Sequence, residues 1–296
     1  MSASTGRIGG PLDTGGRPGF LGSRGPRRAG EPSALRSTLV ALVSTVAFIS
    51  LVGWIVVNSP GWPAVQQSFL NAEVFAASAP KIIRAFWVNI QLFLVAEVLI
   101  LVLGLVVAVL RNLRGPVFFP IRLFTTAYVD VFRALPGVLV IYILGFGIPG
   151  LGLPGVPTSE FFYAVLALTL VYSAYVSEVY RAGIDSVHPS QEAAARSLGL
   201  SRFQALRHVI LPQAVRRVVP PLLNDFIGLQ KDTVLVSYIG IVEIFRQSYI
   251  EQAGSFNFTP YMVTALVFIV VTLPLARFTD WLMARDKRRQ ATGSVR

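Results

Sequence analysis

Glu97, Glu178, Asp225, Lys231 and Asp232 stand in or against otherwise apolar stretches of this chain. At the centre of a membrane helix a charged side chain costs roughly 2.5–3.5 kcal/mol on insertion scales, so each needs a partner or a wet cavity. Such groups suit the recognition of charge rather than the making of bonds. No nucleophile triad or catalytic carboxylate pair lies at a useful spacing. With two His (His188 and His208) and no Cys, disulfides and thiolate chemistry are excluded and a His-rich metal site is not expected. No Gly-x-x-x-x-Gly-Lys-[Ser/Thr] loop is present to cradle nucleotide phosphates. The chain is therefore expected to carry no catalytic residue, no metal and no cofactor of its own.

Several of these groups have bland accounts beside sharper ones. Asp130 with Arg133, and Glu178 with Arg181, stand at i, i+3 and can neutralise each other across one helical turn. Asn224, Gly228 and Lys231 fall at i, i+4 and i+7 on one helical face. Pro220 and Pro221 precede that face and predict a break in its hydrogen-bond ladder. Lys231 either pairs with Asp232 to hold helices together or lines a path for a charged solute. Glu97 has no partner in sequence and reads as a buried acid or as a contact for a cation. Tyr172 and Tyr175, with Tyr180 close by, suit a pore lining or a membrane interface.

The elements that position these residues follow from composition. The chain of 296 residues is 53% hydrophobic and only 14% charged, against about a quarter charged in a soluble domain. Crossing the hydrocarbon core takes about 20 apolar residues. Spans are predicted at Thr38–Val57, Ala85–Leu110, Leu123–Gly147, Phe161–Val176, Val218–Gly240 and Tyr261–Ala276. The expected fold is an all-α polytopic membrane bundle of about six spans. The net charge of +11 does not point to nucleic acid, because the basic residues sit in tails and alternate loops. Arg7, Arg17, Arg24, Arg27, Arg28 and Arg36 precede the first span; Arg111, Arg114 and Arg122 follow the second. Arg181, Arg196, Arg202, Arg207, Arg216 and Arg217 mark the long loop, and Arg285, Lys287, Arg288, Arg289 and Arg296 close the chain. By the positive-inside rule both termini are cytoplasmic. The organisation expected is a disordered basic tail over 1–37, a first span with its external loop over 38–80, a membrane domain over 81–285 and a basic tail over 286–296.

Between the fourth and fifth spans, Tyr172–Ala214 reaches a polar, Arg-rich segment with helical pattern. Pro189 suits a first helical position. Ser190–Leu198 is Ala-rich and predicts a helix of about two turns. Gly199 suits a left-handed cap, and Ser201 with Gln204 fits a capping box that opens a second helix ending at Pro212. The result is a compact knob under the membrane, either for a docking partner or for lipid phosphates.

This segment resembles the cytoplasmic EAA loop of bacterial ABC importer permeases. Counting from Gly199, the Glu-Ala-Ala positions are Ala193, Ala194 and Ala195, and Val209-Ile210-Leu211-Pro212 forms the closing element. Pro212-Gln213-Ala214, Pro220-Pro221, Asn224 and Lys231-Asp232-Thr233 extend the likeness. Ala174-Tyr175-Val176-Ser177-Glu178, Arg181-Ala182-Gly183-Ile184 and Arg133-Ala134-Leu135-Pro136 are similar to the polar amino-acid uptake branch. The departures are an Ala at 193 where the motif has Glu, with Glu192 one residue earlier, Ser190-Gln191 for a Gly-Gln pair, and Val234 in place of a Ser. The resemblance implies a five-helix permease core plus one extra N-terminal span in the bacterial cytoplasmic membrane. It also implies cytoplasmic ABC ATPase subunits, an extracytoplasmic amino-acid-binding protein and a second permease chain, itself or a sister. In that family Gln191, Glu192, Ala193, Ala194, Ala195, Gly199, Leu211 and Pro212 would form the ATPase-coupling loop. Glu97, Tyr175, Asn224, Lys231 and Asp232 would be candidates for the translocation path. The rival readings are a gradient-driven secondary transporter, which internal pseudo-symmetry would favour and none is found, and a non-transporting membrane scaffold.

Overall fold

The computed structural model describes residues 34–113 and 115–293, and side chains within 36–285 apart from Arg114. Most of the expected N-terminal tail, and the side chains of the C-terminal one, lie outside that description. The described residues are helical, with no strand among them, and fall into two compact units divided between Trp62 and Pro63. The first unit contains α1, Ala34–Val57. Its 22-residue stretch Arg36–Val57 would run about 33 Å at 1.5 Å per residue, enough to cross a bilayer core of about 30 Å. The short helix α2, Trp62–Phe69, follows.

In the second unit α3 spans Ala72–Arg111, far longer than the expected second span, so the expected boundary at residues 80/81 falls inside it. Asn71 starts it, its side-chain oxygen accepting from the N–H groups of Glu73 and Val74, and Glu73 and Arg111 match the helix dipole at the two ends. The expected third span is broken. Helix α4, Phe119–Ala134, ends where Leu135 turns extended before Pro136, as a residue preceding proline tends to do. Helix α5, Gly137–Tyr142, continues through a π turn to Gly150, and the two arms are bent by 107°. Helix α6 is Glu160–Asp185, capped by Ser159. After the loop helices α7 (Pro189–Ser197) and α8 (Arg202–Ala205), a π turn over Leu206–Ile210 leads into α9, Leu211–Asp232. A 3-10 segment, Thr233–Ile239, then leads to α10 (Ile244–Ser255) and α11 (Thr259–Gly293).

Four helices among the described residues are long and apolar enough to cross a membrane, and five if the bent pair counts as one span. The expected fifth span does not pass that test: its helix, α9, ends at Asp232 and carries Arg216, Arg217, Asp225, Lys231 and Asp232. Pro220 and Pro221 lie inside α9; lacking N–H groups, they leave the ladder short of two donors there, as expected, while the helix runs on through them. One further expectation is corrected. Asp130 and Arg133 do not form an ion pair; Arg133 lies over the Tyr175 ring instead, 5.7 Å from its centroid.

The main core joins Leu92 and Ile100 of α3, Ile141 of α5, Leu168 and Val171 of α6 and Leu229 of α9. A second cluster unites Ile82, Ile244 and Val263. Beside it, the buried amide of Asn89 donates to Thr233 Oγ1 at 3.0 Å and to Glu243 Oε2 at 2.9 Å, and accepts from the Ile244 N–H at 3.1 Å. Glu243 has no exposed surface and also accepts from the N–H groups of Phe245 and Arg246. Burial pushes its carboxyl above the ordinary range, while those donors and Asn89 pull it back. This network ties α3 to the far end of α9 and to the start of α10.

Candidate functional site

A cavity of about 290 Å³ opens beside the α4–α5 break, between α6, α9 and the 3-10 segment. Its walls are apolar (Leu135, Ile141, Leu168, Val171), and its polar groups are Tyr172, Tyr175, Asn224, Asp225 and Asp232. The Tyr172 hydroxyl donates to Asp232 Oδ2 at 2.7 Å. Tyr175 donates to the Arg133 carbonyl at 3.3 Å, and the two tyrosine rings lie 6.5 Å apart. Asp225 Oδ2 is sealed from solvent without a hydrogen-bond partner. An apolar hollow with a few convergent polar groups has the make-up of a small-molecule site.

Of the five path candidates, Tyr175, Asn224 and Asp232 line this cavity. Glu97 does not line it; it stands on α3, where its charge interacts with Asp225. Lys231 is exposed and points elsewhere. The cavity-lining residues of α9 are Asn224, Asp225, Gly228 and Asp232, so two residues of the 224, 228, 231 face read from sequence reach the cavity and Lys231 does not. Asp225, seven residues before Asp232 on the same side of the helix, was not among the path candidates. Glu178 accepts from Arg111 and pairs with Arg181 at 3.2 Å, so it joins the C-terminal ends of α3 and α6.

The loop is built by its capping residues. Pro189 opens α7 and His188 caps it. Gly199 closes it at φ +86°, a conformation glycine takes without a Cβ penalty, and the Leu200 N–H returns to the Ala195 carbonyl at 3.2 Å. The capping box is complete: the Ser201 N–H donates to Gln204 Oε1 at 2.9 Å and the Gln204 N–H to Ser201 Oγ at 3.2 Å. The second helix does not stop at Pro212, because the π turn carries it into α9. Ala195 is buried while Gln191, Ala193, Ala194, Gly199, Leu211 and Pro212 are exposed. Glu192 lies 3.9 Å from Arg202, an exposed pair of little energetic worth. Gln191 accepts from Gln213 at 3.4 Å. Leu198 and Phe203 project from the knob at 84% and 67% exposure, which suits a protein contact better than a solvated loop.

A polar-lined cavity at a broken membrane helix, joined by two stems to an exposed loop, defines a membrane transport domain. Residues 100–288 match the family described as binding-protein-dependent transport system inner membrane component, and the chain belongs to that family. The chain is 37% identical over 215 residues to the glutamate transport system permease protein GluC of Corynebacterium efficiens, covering 69% of this chain and 93% of that one. It is 32% identical over 205 residues to the arginine transport system permease protein ArtQ of Bacillus subtilis, covering 68% and 91%. Among solved structures, an amino acid ABC transporter with histidines aligns at a TM-score of 0.66 and 31% identity, over 73% of this chain and 98% of that one.

Proposed function

We propose that this chain is the permease subunit of an ATP-driven importer of polar amino acids in the bacterial cytoplasmic membrane, with both termini in the cytoplasm. The observation that carries the reading is the pairing of the cavity with the loop on the same two helices, α6 and α9. Residues of α6 and α9 line the cavity, and α7 and α8 lie between these helices in the chain. A pull on α7 by a cytoplasmic ATPase would therefore shift both walls of the cavity. The partners are two ABC ATPases, a second permease chain, identical or a sister, and an extracytoplasmic amino-acid-binding protein. ATP closure of the ATPase pair would rock α6 and α9 between inward-open and outward-open arrangements, and the binding protein would deliver the amino acid to the cavity. Gln191, Glu192, Ala193, Ala194, Gly199, Leu211 and Pro212 form the coupling surface in this scheme, with buried Ala195 behind them.

The test is affinity purification of the tagged chain from its host in mild detergent, with partners identified by mass spectrometry. Recovery of an ATPase with a P-loop, lost on Gly199→Asp, is the expected result. A folded chain recovered without any ATPase would refute the coupling role of the loop.

A further inference from the structure

The cavity described above is lined by carboxylates and by no basic side chain. Asp225 and Asp232 both face it, and none of its lining residues is Lys, Arg or His. Asp232 already accepts from Tyr172. Asp225 lines the cavity, and its Oδ2 is held against the protein without a donor, a costly state that leaves the carboxylate unpaired beside the cavity. Of the neighbouring bases, Lys231 is exposed and Arg133 lies over the Tyr175 ring, and neither lines the cavity.

The α-ammonium and α-carboxylate of an amino acid cancel, so a neutral side chain leaves the charge of the cavity uncompensated and an acidic one adds to it. A guanidinium or ammonium side chain neutralises it. The Tyr172 ring offers such a cation a π face as well. We propose that the cavity selects amino acids with a cationic side chain, with Asp225 as the specificity-determining residue and Asp232, held by Tyr172, as its second contact. The inference rests on the importer reading and narrows it from polar to cationic amino acids.

The test uses the permease purified with its ATPase in lipid nanodiscs, without the binding protein, so that the selectivity of the latter does not intervene. Binding of labelled arginine, lysine, glutamine and glutamate is measured at equilibrium. Arginine or lysine should bind at least about tenfold more tightly than glutamine, and glutamate most weakly. Asp225→Asn should weaken arginine about tenfold or more and remove most of its margin over glutamine, as expected for loss of one member of a buried charge pair, while Asp225→Glu should retain the preference. Glutamine or glutamate binding as tightly as arginine would overturn charge selection and leave the importer reading intact. So would arginine binding indifferent to Asp225→Asn. If no amino acid binds, and the complete system with ATP moves none, the importer reading fails and this inference with it. Should Asp225→Asn not assemble with the ATPase, the ranking of the four ligands on the unaltered complex decides alone.

Discussion

Gly183 sits where α6 crosses α9, and replacing it by alanine should separate the two helices that carry the loop. A Cβ on Gly183 would lie 2.0 Å from Val218 Cγ2 and 3.4 Å from the Ala214 carbonyl oxygen. Non-bonded carbons settle at about 3.5–4.0 Å, so the clash requires a movement of about 1.5 Å. Val218 is 6% exposed, and valine in a helix has one strongly preferred rotamer, so the side chain cannot swing aside cheaply. Overpacking of this kind costs about 1–3 kcal/mol, and a rigid, buried neighbour puts Gly183→Ala toward the upper end. Val218→Ala alone removes two methyl groups and should cost about 1–2 kcal/mol. In the double variant the added methyl occupies the space of the removed one, so the costs should fall short of their sum by about 1–2 kcal/mol. Thermal unfolding of the four proteins in one detergent, followed by tryptophan fluorescence, reads the cycle, and ATP-driven uptake reads the function. Uptake should fall with Gly183→Ala and recover in part with Val218→Ala added. A Gly183→Ala protein as stable as the unaltered one, or strictly additive costs, would refute the close crossing.

Gly199→Asp should leave membrane insertion intact and cost about 1–2 kcal/mol locally, the penalty of a side chain at positive φ, yet abolish uptake; normal transport by this variant would remove the loop from the coupling path. Glu243→Ala strips the N-cap of α10 and a partner of Asn89, and should lower stability by about 2–4 kcal/mol from the lost cap and the orphaned N–H groups; an unchanged unfolding midpoint would show that the network contributes nothing. Tyr172→Phe deletes the 2.7 Å bond to Asp232 and should cost about 1–3 kcal/mol by leaving the carboxylate without its donor, read as a lower unfolding midpoint; no shift would mean that water replaces the hydroxyl at no cost.

The loop was legible because its signals are local. Pro189, Gly199 and the Ser201–Gln204 pair each act within one turn, and the structure builds the caps they specify. The membrane segments were legible as apolar stretches but not in their ends. Asn71 starts α3 thirteen residues before the expected span, and Pro80 is carried inside it. Leu135–Pro136 breaks the third stretch because the residue before a proline prefers an extended backbone, yet Pro220 and Pro221 leave α9 continuous. Proline alone does not separate these outcomes; neighbouring helices do. The face of α9 read from sequence keeps Asn224 and Gly228 but is rotated from the observed one, which takes in Asp225 and Asp232 and leaves out Lys231, because the rotation of a helix is set by what packs behind it. Buried Leu229, in the main core, turns Asp225 and Asp232 toward the cavity and leaves Lys231 exposed. The contact of Asn89 with Glu243 spans 154 residues, a pairing that no local pattern encodes.

The central claim, ATP-driven import through this chain, is tested most directly by uptake into proteoliposomes holding the purified permease–ATPase complex. Binding protein and labelled amino acid are supplied outside and ATP inside. Uptake should require ATP, stop with Gly199→Asp and be insensitive to collapse of the ion gradients. Uptake that persists without ATP and follows an imposed ion gradient would contradict the claim and identify a secondary transporter.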